Sequence, residues 1–313
     1  DTRLMPLDTE KMIKDIYQLA NNRDFSNFLA SGDDDFSFSL PNIGRFRVNA
    51  YRQRNSCAAV LRIVRFELPD PKKMHIPEIV CDLANQKKGM ILVTGPAGSG
   101  KSTTLACIID QINQKRNTHI ITIEDPIEYL HSHNKSIVSQ REVFHDTKNY
   151  VAALKAALRE APEVILVGEM RDLETIDIAI TAAETGHLIF SSLHTVGAAN
   201  TIDRMIDVFP ASQQQQIRVQ LAMVLNAVIC QQLLPGVDGK MIPAFEIMIC
   251  NQAIRTLIRD GKTHQIDSTI SNSRQLGMIT MDEAIIELYK QGKISKETAL
   301  MYATNPKIVE RRL

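Results

Sequence analysis

The sequence lacks an excess of charge of either sign. Its 313 residues include 36 Lys and Arg and 36 Asp and Glu, so the formal net charge is zero. Together with 44% hydrophobic residues, this balance argues against a disordered chain and against a dedicated binder of nucleic acid or another polyanion. The length instead predicts more than one domain and a well-buried core.

A long apolar run, a secretory leader and paired cysteines are also missing. The longest uncharged stretch, Val219–Val237, contains Pro235 and four side-chain amides, which makes it a poor candidate for a membrane span. The five cysteines are dispersed with no CxxC spacing, which argues against a zinc ribbon and favours reduced, mostly buried thiols in a cytosolic protein. Because the chain starts at Asp1 instead of Met, we expect its native amino terminus to be missing.

Residues 1–66 are predicted to form a small α+β domain, incomplete at its start. Apolar residues at helical spacing predict a helix over Thr9–Leu29, and the run of acids after Gly32 predicts a turn. Alternating apolar residues then predict three antiparallel strands, at Phe36–Leu40, Arg45–Tyr51 and Cys57–Phe66. Residues 67–75 carry two prolines and mixed charge, so we expect a linker there.

Residues 76–313 show the pattern of an α/β domain. Short continuous apolar runs alternate with amphipathic helical segments, which predicts a parallel sheet covered by helices on both faces. The runs predicted as buried strands are Met90–Thr94, His119–Glu124, Val164–Val167 and Leu188–Phe190. From about Gln213 the pattern predicts mostly helix, interrupted by a strand at Met241–Cys250.

A phosphate-binding motif is the clearest functional signal. Residues 95–102 match G-x-x-x-x-G-K-[ST], follow an apolar strand and precede a helix, as the motif requires. We predict that Lys101 neutralises the β- and γ-phosphates of ATP and that the Ser102 hydroxyl binds Mg²⁺. The residues predicted to surround the phosphates are Gly95, Gly98, Ser99, Gly100, Lys101, Ser102 and Thr103.

Three further apolar runs end in polar residues that could face the same nucleotide. The run at Val164 ends at Glu169, and a carboxylate there can hold the Mg²⁺ shell or orient the attacking water. The segment Thr122–Glu128 adds three carboxylates, for which an exposed acidic loop is an equally good interpretation. His187 and His194 flank the strand at Leu188; His194 would lie at the nucleotide edge, whereas an isolated His187 would more often be structural.

Arginines are concentrated in Ile43–Arg65, a segment without acids or Lys. They stand at positions 45, 47, 52, 54, 62 and 65. Arg without Lys suggests bidentate recognition of phosphate or carboxylate. From these residues alone, arginine fingers that reach an ATP bound elsewhere and an ion-paired surface are equally good interpretations.

The motifs, taken in this order, resemble the type IV pilus retraction ATPases (PilT/PilU-like) of the secretion-type ATPase superfamily. The matching blocks are Arg45–Ala50, Gly95–Ser102, Thr122–Tyr129, Val164–Asp172, Thr185–Thr195 and Ala253–Arg259. The resemblance implies a homohexamer whose subunits join a PAS-like amino-terminal domain to a RecA-like P-loop ATPase core with a parallel sheet and a helical carboxy-terminal region.

The resemblance also implies roles for the acidic residues. Glu169 would activate the attacking water and bind Mg²⁺, partly through water. Glu124, Asp125 and Glu128 would lie near Mg²⁺ and the γ-phosphate.

For the basic residues, the resemblance implies two further roles. His187 and His194 would couple the nucleotide state to the adjoining domain. Arg47 and Arg62 would act on ATP bound to a neighbouring subunit, and such arginines stabilise the charge of the transition state.

The function that the resemblance implies is an ATP-hydrolysing motor for pilus retraction and twitching motility. Such a motor is cytoplasmic, works at the inner face of the cell membrane on a platform protein and has a paralogous retraction ATPase as a further partner, without nucleic acid. A pilus-extension or type II secretion ATPase is one alternative, although those relatives usually carry a tetracysteine module that dispersed cysteines cannot build. A nucleic-acid translocase is another, disfavoured by the neutral charge.

Overall fold

The computed structural model describes residues 4–41, 43–64 and 67–313. The chain divides into two compact units: Asp1–Leu68 with Glu128–Leu130 form the amino-terminal unit, and Pro69–Ile127 with His131–Leu313 form the carboxy-terminal unit.

The described part of the amino-terminal unit combines helices with an antiparallel sheet in the order β1-β2-β3. Its elements are α1 Pro6–Leu19, α2 Ser26–Ser31, β1 Asp33–Leu40, β2 Gly44–Gln53 and β3 Ser56–Val64. Ile13, Tyr17 and Phe28 from the helices pack against Phe36 and Val48 of the sheet. This α+β arrangement confirms the expectation for the first part of the chain.

The prediction of one helix over Thr9–Leu29 is wrong. The helix stops at Leu19 because Asn21 and Asn22 both adopt a left-handed backbone with φ of 56°. The Asp24 carboxylate then accepts hydrogen bonds from the backbone N–H and the hydroxyl of Ser26, which fixes the start of a second, short helix.

The predicted acidic turn after Gly32 is also wrong, because Asp33 begins β1. The strand continues through Asp34, whose carboxylate accepts a hydrogen bond from the Tyr17 hydroxyl at 2.8 Å and two from the Arg23 guanidinium at 2.8 and 2.9 Å. Acids that look like a solvated turn are therefore strand residues with local partners.

The carboxy-terminal unit alternates strands and helices as predicted. In its first half lie α3 Glu78–Cys81, β4 Gly89–Thr94, α4 Lys101–Lys115, β5 His119–Glu124, β6 Ile137–Glu142, α5 Tyr150–Ala157, β7 Val164–Glu169, α6 Leu173–Glu184 and β8 Leu188–Leu193. In its second half lie α7 Ala198–Asp207, α8 Ala211–Val224, β9 Leu225–Pro235, β10 Met241–Ile249, α9 Gln252–Arg259, α10 Ile266–Ser271, α11 Met281–Lys290, α12 Lys296–Tyr302 and α13 Pro306–Glu310.

Within residues 67–313, which the structure describes without a gap, seven strands form one sheet in the order β10-β9-β4-β8-β7-β5-β6. Neighbouring strands run parallel except for β10, which pairs antiparallel with β9. The predicted α/β class with a largely parallel sheet is therefore confirmed.

Both faces of this sheet are buried, which explains why its strands are apolar at successive positions. In β4, Met90 and Leu92 pack into one core with α5 to α9, whereas Ile91 and Val93 pack into the other core with α3 and α4. Side chains of a strand alternate between the two faces, so a strand buried on both faces needs apolar residues throughout.

Two strands were not predicted. β9 lies in the region expected to be mostly helical, and amides such as Gln231 and Gln232 interrupt its apolar character. β6 is an edge strand with the polar sequence Ser139–Glu142, so it has no apolar run to mark it. The unpredicted β9 matters for function because it lies beside β4, which carries the phosphate-binding loop.

The uncharged stretch Val219–Val237 is divided between the end of α8 and β9. Among the described helices, none has the length and apolar character to cross a bilayer. All five cysteines are free and buried, in agreement with the expectation of buried thiols.

Candidate active site

The carboxyl ends of four neighbouring parallel strands bring polar residues to one edge of the sheet. β4, β8, β7 and β5 are adjacent in that order, and they are followed by the phosphate-binding loop, by His194, by Glu169 at the end of β7 and by Glu124 at the end of β5. We call this set the carboxyl edge. Ligands of open parallel sheets bind outside this edge.

The phosphate-binding loop is shaped by two glycines that no larger residue could replace. Gly100 has a left-handed φ of 91° immediately before α4, and a Cβ at Gly95 would lie 2.1 Å from the carbonyl oxygen of Gln231. The Ser99 hydroxyl is buried and has no hydrogen-bond partner among the described residues. A buried donor in a glycine-rich loop that leads into a helix start suits a phosphate oxygen.

Lys101 is the first residue of α4 and is buried to 8% exposure. Its ammonium group donates hydrogen bonds to the carbonyl oxygens of Gly95 and Pro96, both at 2.9 Å. These bonds hold the charge inside the loop, at the place where phosphates would bind.

His194 connects this lysine to the carboxylate of Glu169. The Lys101 Nζ atom lies 3.4 Å from His194 Nδ1, and His194 Nε2 lies 3.3 Å from Glu169 Oε1. The two ring nitrogens of His194 thus face different partners, the Lys101 ammonium at Nδ1 and the Glu169 carboxylate at Nε2. The arrangement links the phosphate-binding loop to the end of β7.

Glu169 also has a second cationic neighbour. Arg171 lies 2.6 Å from Glu169 Oε2, although the arginine side chain itself is 75% exposed. Burial would raise the pKa of Glu169, but the hydrogen bonds and charges of Arg171 and His194 outweigh it and hold this pKa below its usual value. The carboxylate is therefore ionised at neutral pH.

Glu124 and Asp125 lie at the end of β5. The Glu124 carboxylate accepts hydrogen bonds from Thr122 at 2.6 Å and from Gln140 at 3.2 Å, so it is held in place, whereas Asp125 is exposed. The alternative interpretation of this segment, an exposed acidic loop, therefore describes Asp125 better than Glu124.

The residues predicted to bind Mg²⁺ could hold the ion if phosphate oxygens supplied further ligands. No group of three or more His, Cys, Asp or Glu side chains within the described ranges is arranged to hold a metal. Ser102 is exposed at the start of α4 and Glu169 is ionised nearby on the same edge. Mg²⁺ in nucleotide sites commonly uses one or two protein ligands plus phosphates and waters, which these residues can supply.

The structure does not bring every predicted site residue to the carboxyl edge. His187 precedes β8 and therefore lies at the opposite end of that strand from His194; its Nδ1 atom is 2.9 Å from the carbonyl oxygen of Ala182. Glu128 is exposed and belongs to the amino-terminal unit, as do Arg47 and Arg62. Arg65, the last arginine of the segment Ile43–Arg65, lies outside the described residues.

In the amino-terminal unit, Arg47 of β2 and Arg62 of β3 lie directly opposite each other in register, and both are exposed. Residues directly opposite in antiparallel strands share a face, and like charges in that position are unfavourable. The pair is therefore a concentrated positive surface on the described part of that sheet.

Three residues at the carboxyl edge were missed from the sequence. Arg171 stands in the block around Glu169, and its spacing two residues after the carboxylate was a usable signal. Gln231 accepts a hydrogen bond from Thr104 at 2.7 Å beneath the phosphate-binding loop, but it lies on the unpredicted β9. Tyr150 begins α5 and has its hydroxyl beside Gly168, a proximity that only the fold creates.

Comparisons with known proteins match this chain to one family and to several relatives. Residues 29–311 match the model of the family described as type II/IV secretion system protein. The chain is 50% identical over 272 residues to a twitching motility protein of Neisseria gonorrhoeae, covering 87% of this chain and 73% of that protein. It is 46% identical over 306 residues to the type IV pilus retraction ATPase PilT of Pseudomonas aeruginosa, covering 97% and 88% respectively.

Among solved structures, the chain is similar to a crystal structure of the pilus retraction motor PilT with bound ADP. The TM-score is 0.91 at 50% identity, and the match covers 99% of this chain and 88% of that one.

Proposed function

This chain belongs to the type II/IV secretion system protein family, and from that premise we propose that it hydrolyses ATP to power the retraction of a type IV pilus in twitching motility. It is an ATPase of the same kind as the retraction motors that it resembles along nearly its whole length. The observation that carries the chemistry is the contact series from Lys101 through His194 to Glu169.

ATP would bind with its phosphates in the loop that begins at Gly95. The backbone N–H groups of the loop and the buried Ser99 hydroxyl would donate to phosphate oxygens, and Lys101 would move its hydrogen bonds from the loop carbonyls to the β- and γ-phosphates. Ser102 and Glu169 would hold Mg²⁺, partly through water, and the ion would offset phosphate charge.

Hydrolysis would use Glu169 to orient the attacking water. The water oxygen forms a bond to the γ-phosphorus while the bond from that phosphorus to the bridging oxygen breaks, which gives ADP and inorganic phosphate. Glu169 starts ionised, so it can accept a hydrogen bond from the water. Glu124 and Asp125 would complete the polar environment.

The motor would be a homohexamer in which Arg47 and Arg62 act on the ATP of a neighbouring subunit. Their exposed, directly opposed placement supports this proposal, because such a pair gains most from a phosphate partner. His187 and His194 would transmit the nucleotide state to the amino-terminal unit. The mechanical output would act on an inner-membrane platform protein from the cytoplasmic side, with a paralogous retraction ATPase as a further partner.

Substitution of Glu169 tests the hydrolysis step. In Glu169→Ala we expect nucleotide binding to persist and turnover to fall about 100-fold or more, because a positioned general base or water-orienting group is worth this much. Glu174→Ala is the matched control, since Glu174 is an exposed glutamate paired with Lys155 at 2.7 Å outside the carboxyl edge. Turnover by Glu169→Ala equal to the control would contradict the assignment.

A cellular experiment tests retraction against extension. A strain lacking this gene would be complemented with the wild type, Glu169→Ala or Glu174→Ala, and twitching and surface pili would be counted. We expect the Glu169→Ala strain to lose twitching and keep abundant pili. Loss of the pili themselves would instead indicate an extension or secretion ATPase.

A further inference from the structure

Tyr150 reaches the carboxyl edge from a helix that the proposed mechanism does not use. It is the first residue of α5, where the Asn149 side chain accepts a hydrogen bond from the Ala152 N–H at 2.8 Å and fixes the helix start. The tyrosine is half-buried and packs against the core on that side of the sheet. Its ring is therefore fixed at both its base and its sides.

The Tyr150 hydroxyl lies over Gly168, immediately before Glu169. It is 3.2 Å from the position that a Cβ at residue 168 would take, and the Cα of Glu124 is 3.3 Å from the same position. A side chain at 168 would crowd the hydroxyl, so the glycine provides its space. The hydroxyl thus lies between the ends of β5 and β7.

The electrostatic surroundings keep this phenol protonated. Burial raises the pKa of Tyr150, and the charges of Asp125, Glu169 and Glu124 raise it further, against a small opposing effect of Arg171. Within the described ranges the hydroxyl makes no hydrogen bond. A neutral phenol surrounded by carboxylates is a donor facing three acceptors.

We propose that Tyr150 is a positioning residue for ATP hydrolysis, whose hydroxyl donates a hydrogen bond to the Glu169 carboxylate in the nucleotide-bound site and holds it toward the attacking water. Glu169 is the acceptor because it directly follows Gly168, whereas the Glu124 carboxylate already accepts from Thr122 and Gln140 and Asp125 is exposed. The inference rests on the proposed ATPase function and adds a partner from α5 for its central carboxylate.

Tyr150→Phe tests the proposal because it removes the hydroxyl and keeps the ring. Tyr302→Phe is the matched control, since Tyr302 is also half-buried but ends α12, outside the carboxyl edge. We expect Tyr150→Phe to lower kcat about 10-fold with KM for ATP nearly unchanged, as for the loss of one hydrogen bond that matters in the transition state. The control is expected to match the wild type.

Two readouts separate positioning from a packing effect. A lost positioning contact lowers kcat and leaves KM for ATP nearly unchanged, whereas a packing defect would also raise KM. The chain has no Trp and six Tyr, so its near-ultraviolet difference spectrum on binding Mg²⁺ and ADP reports tyrosine surroundings. We expect Tyr150→Phe to remove part of that signal.

Equal kcat in Tyr150→Phe and Tyr302→Phe would overturn this inference alone, as would a fall in kcat accompanied by an equal rise in KM, or a difference spectrum that Tyr150→Phe leaves unchanged. A wild type without ATPase activity would overturn the proposed function and this inference together.

Discussion

Glu169 in the seven-stranded sheet lies between Arg171 and His194, whereas Arg47 and Arg62 in the three-stranded sheet lie directly opposite each other. The first arrangement pairs each charge with an opposite or polar neighbour inside one unit. The second places two like charges on one exposed face of the described strands. We call the exposed face that carries Arg47 and Arg62 the arginine face. Charge at the carboxyl edge is therefore locally balanced, and charge on the arginine face is not.

This difference predicts which substitutions an intact copy of the chain can compensate in a mixed assembly and which it cannot. Like charges directly opposite each other destabilise a sheet, so their placement favours a role with an anionic partner over a role in folding. In the proposed mechanism, a side chain at the carboxyl edge acts on ATP bound by the same chain. An arginine that acts across a subunit boundary can be supplied by another copy, and this contrast is open to experiment.

Lys101→Ala should give the largest effect. It tests whether the carboxyl edge binds nucleotide without help from a neighbouring subunit. We expect loss of nucleotide binding and a fall in turnover of about 1000-fold or more, because the charge that meets the β- and γ-phosphates is removed. The measurements are calorimetric ADP binding and phosphate release. Lys115→Ala at the other end of α4 is the control and should behave as the wild type.

Addition of an excess of intact subunits should not rescue binding by Lys101→Ala subunits. If such mixing restored their nucleotide binding, the carboxyl edge would depend on a neighbour, and the contrast with the arginine face would be lost.

Arg62→Ala should have the next largest effect and tests the arginine face. We expect turnover to fall about 100-fold while ADP binding persists, since an arginine that stabilises transition-state charge is worth at least this much. Arg52→Ala is the control, because Arg52 is exposed on β2 but points to the other face of the sheet from Arg47.

Mixing then decides whether Arg62 acts on a neighbouring subunit. Arg62→Ala subunits would be combined with an excess of Glu169→Ala subunits, which lack turnover but keep both arginines. Recovery of phosphate release is expected, because each mutant supplies what the other lacks. Failure to recover any activity would count against action between subunits.

Most of the parallel sheet could be predicted because β4, β5, β7 and β8 each contain a continuous apolar run. β5 was predicted with its observed bounds, and β4, β7 and β8 were found with ends displaced by one to three residues. β6 and β9 were missed since polar side chains such as Gln140 and Gln231 break their apolar pattern. Their strand state comes from pairing with β5 and β4, which is a tertiary effect.

The site divides in the same way. Lys101 and Glu169 were predictable, because each lies in a local motif that ends a buried strand. The contact of Arg171 with Glu169 and the approach of Tyr150 to Gly168 depend on how β7, β8 and α5 are arranged in space. The spacing in the sequence could not predict that Tyr150 approaches Gly168, since the two residues are 18 positions apart.

Arg171→Ala should give the smallest effect. It measures how much the paired arginine contributes to the ionisation of Glu169. The pair of Arg171 with Glu169 is mostly exposed, and exposed pairs contribute little, so we expect kcat to change by less than about threefold. Arg171 lowers the pKa of Glu169. Its removal should therefore raise that pKa and move the acid limb of kcat/KM to higher pH.

Arg204→Ala is the control for this shift, because Arg204 lines the same cavity of about 350 Å³ as Glu169 and Arg171 but is not the arginine paired with the carboxylate. The acid limb of this variant should stay where the wild type has it, since a more distant charge is screened by solvent. An equal shift in both variants would mean that the general positive charge of the cavity sets the ionisation of Glu169. Charge at the carboxyl edge would then depend on the summed charge around it, as on the arginine face, and not on individual paired side chains.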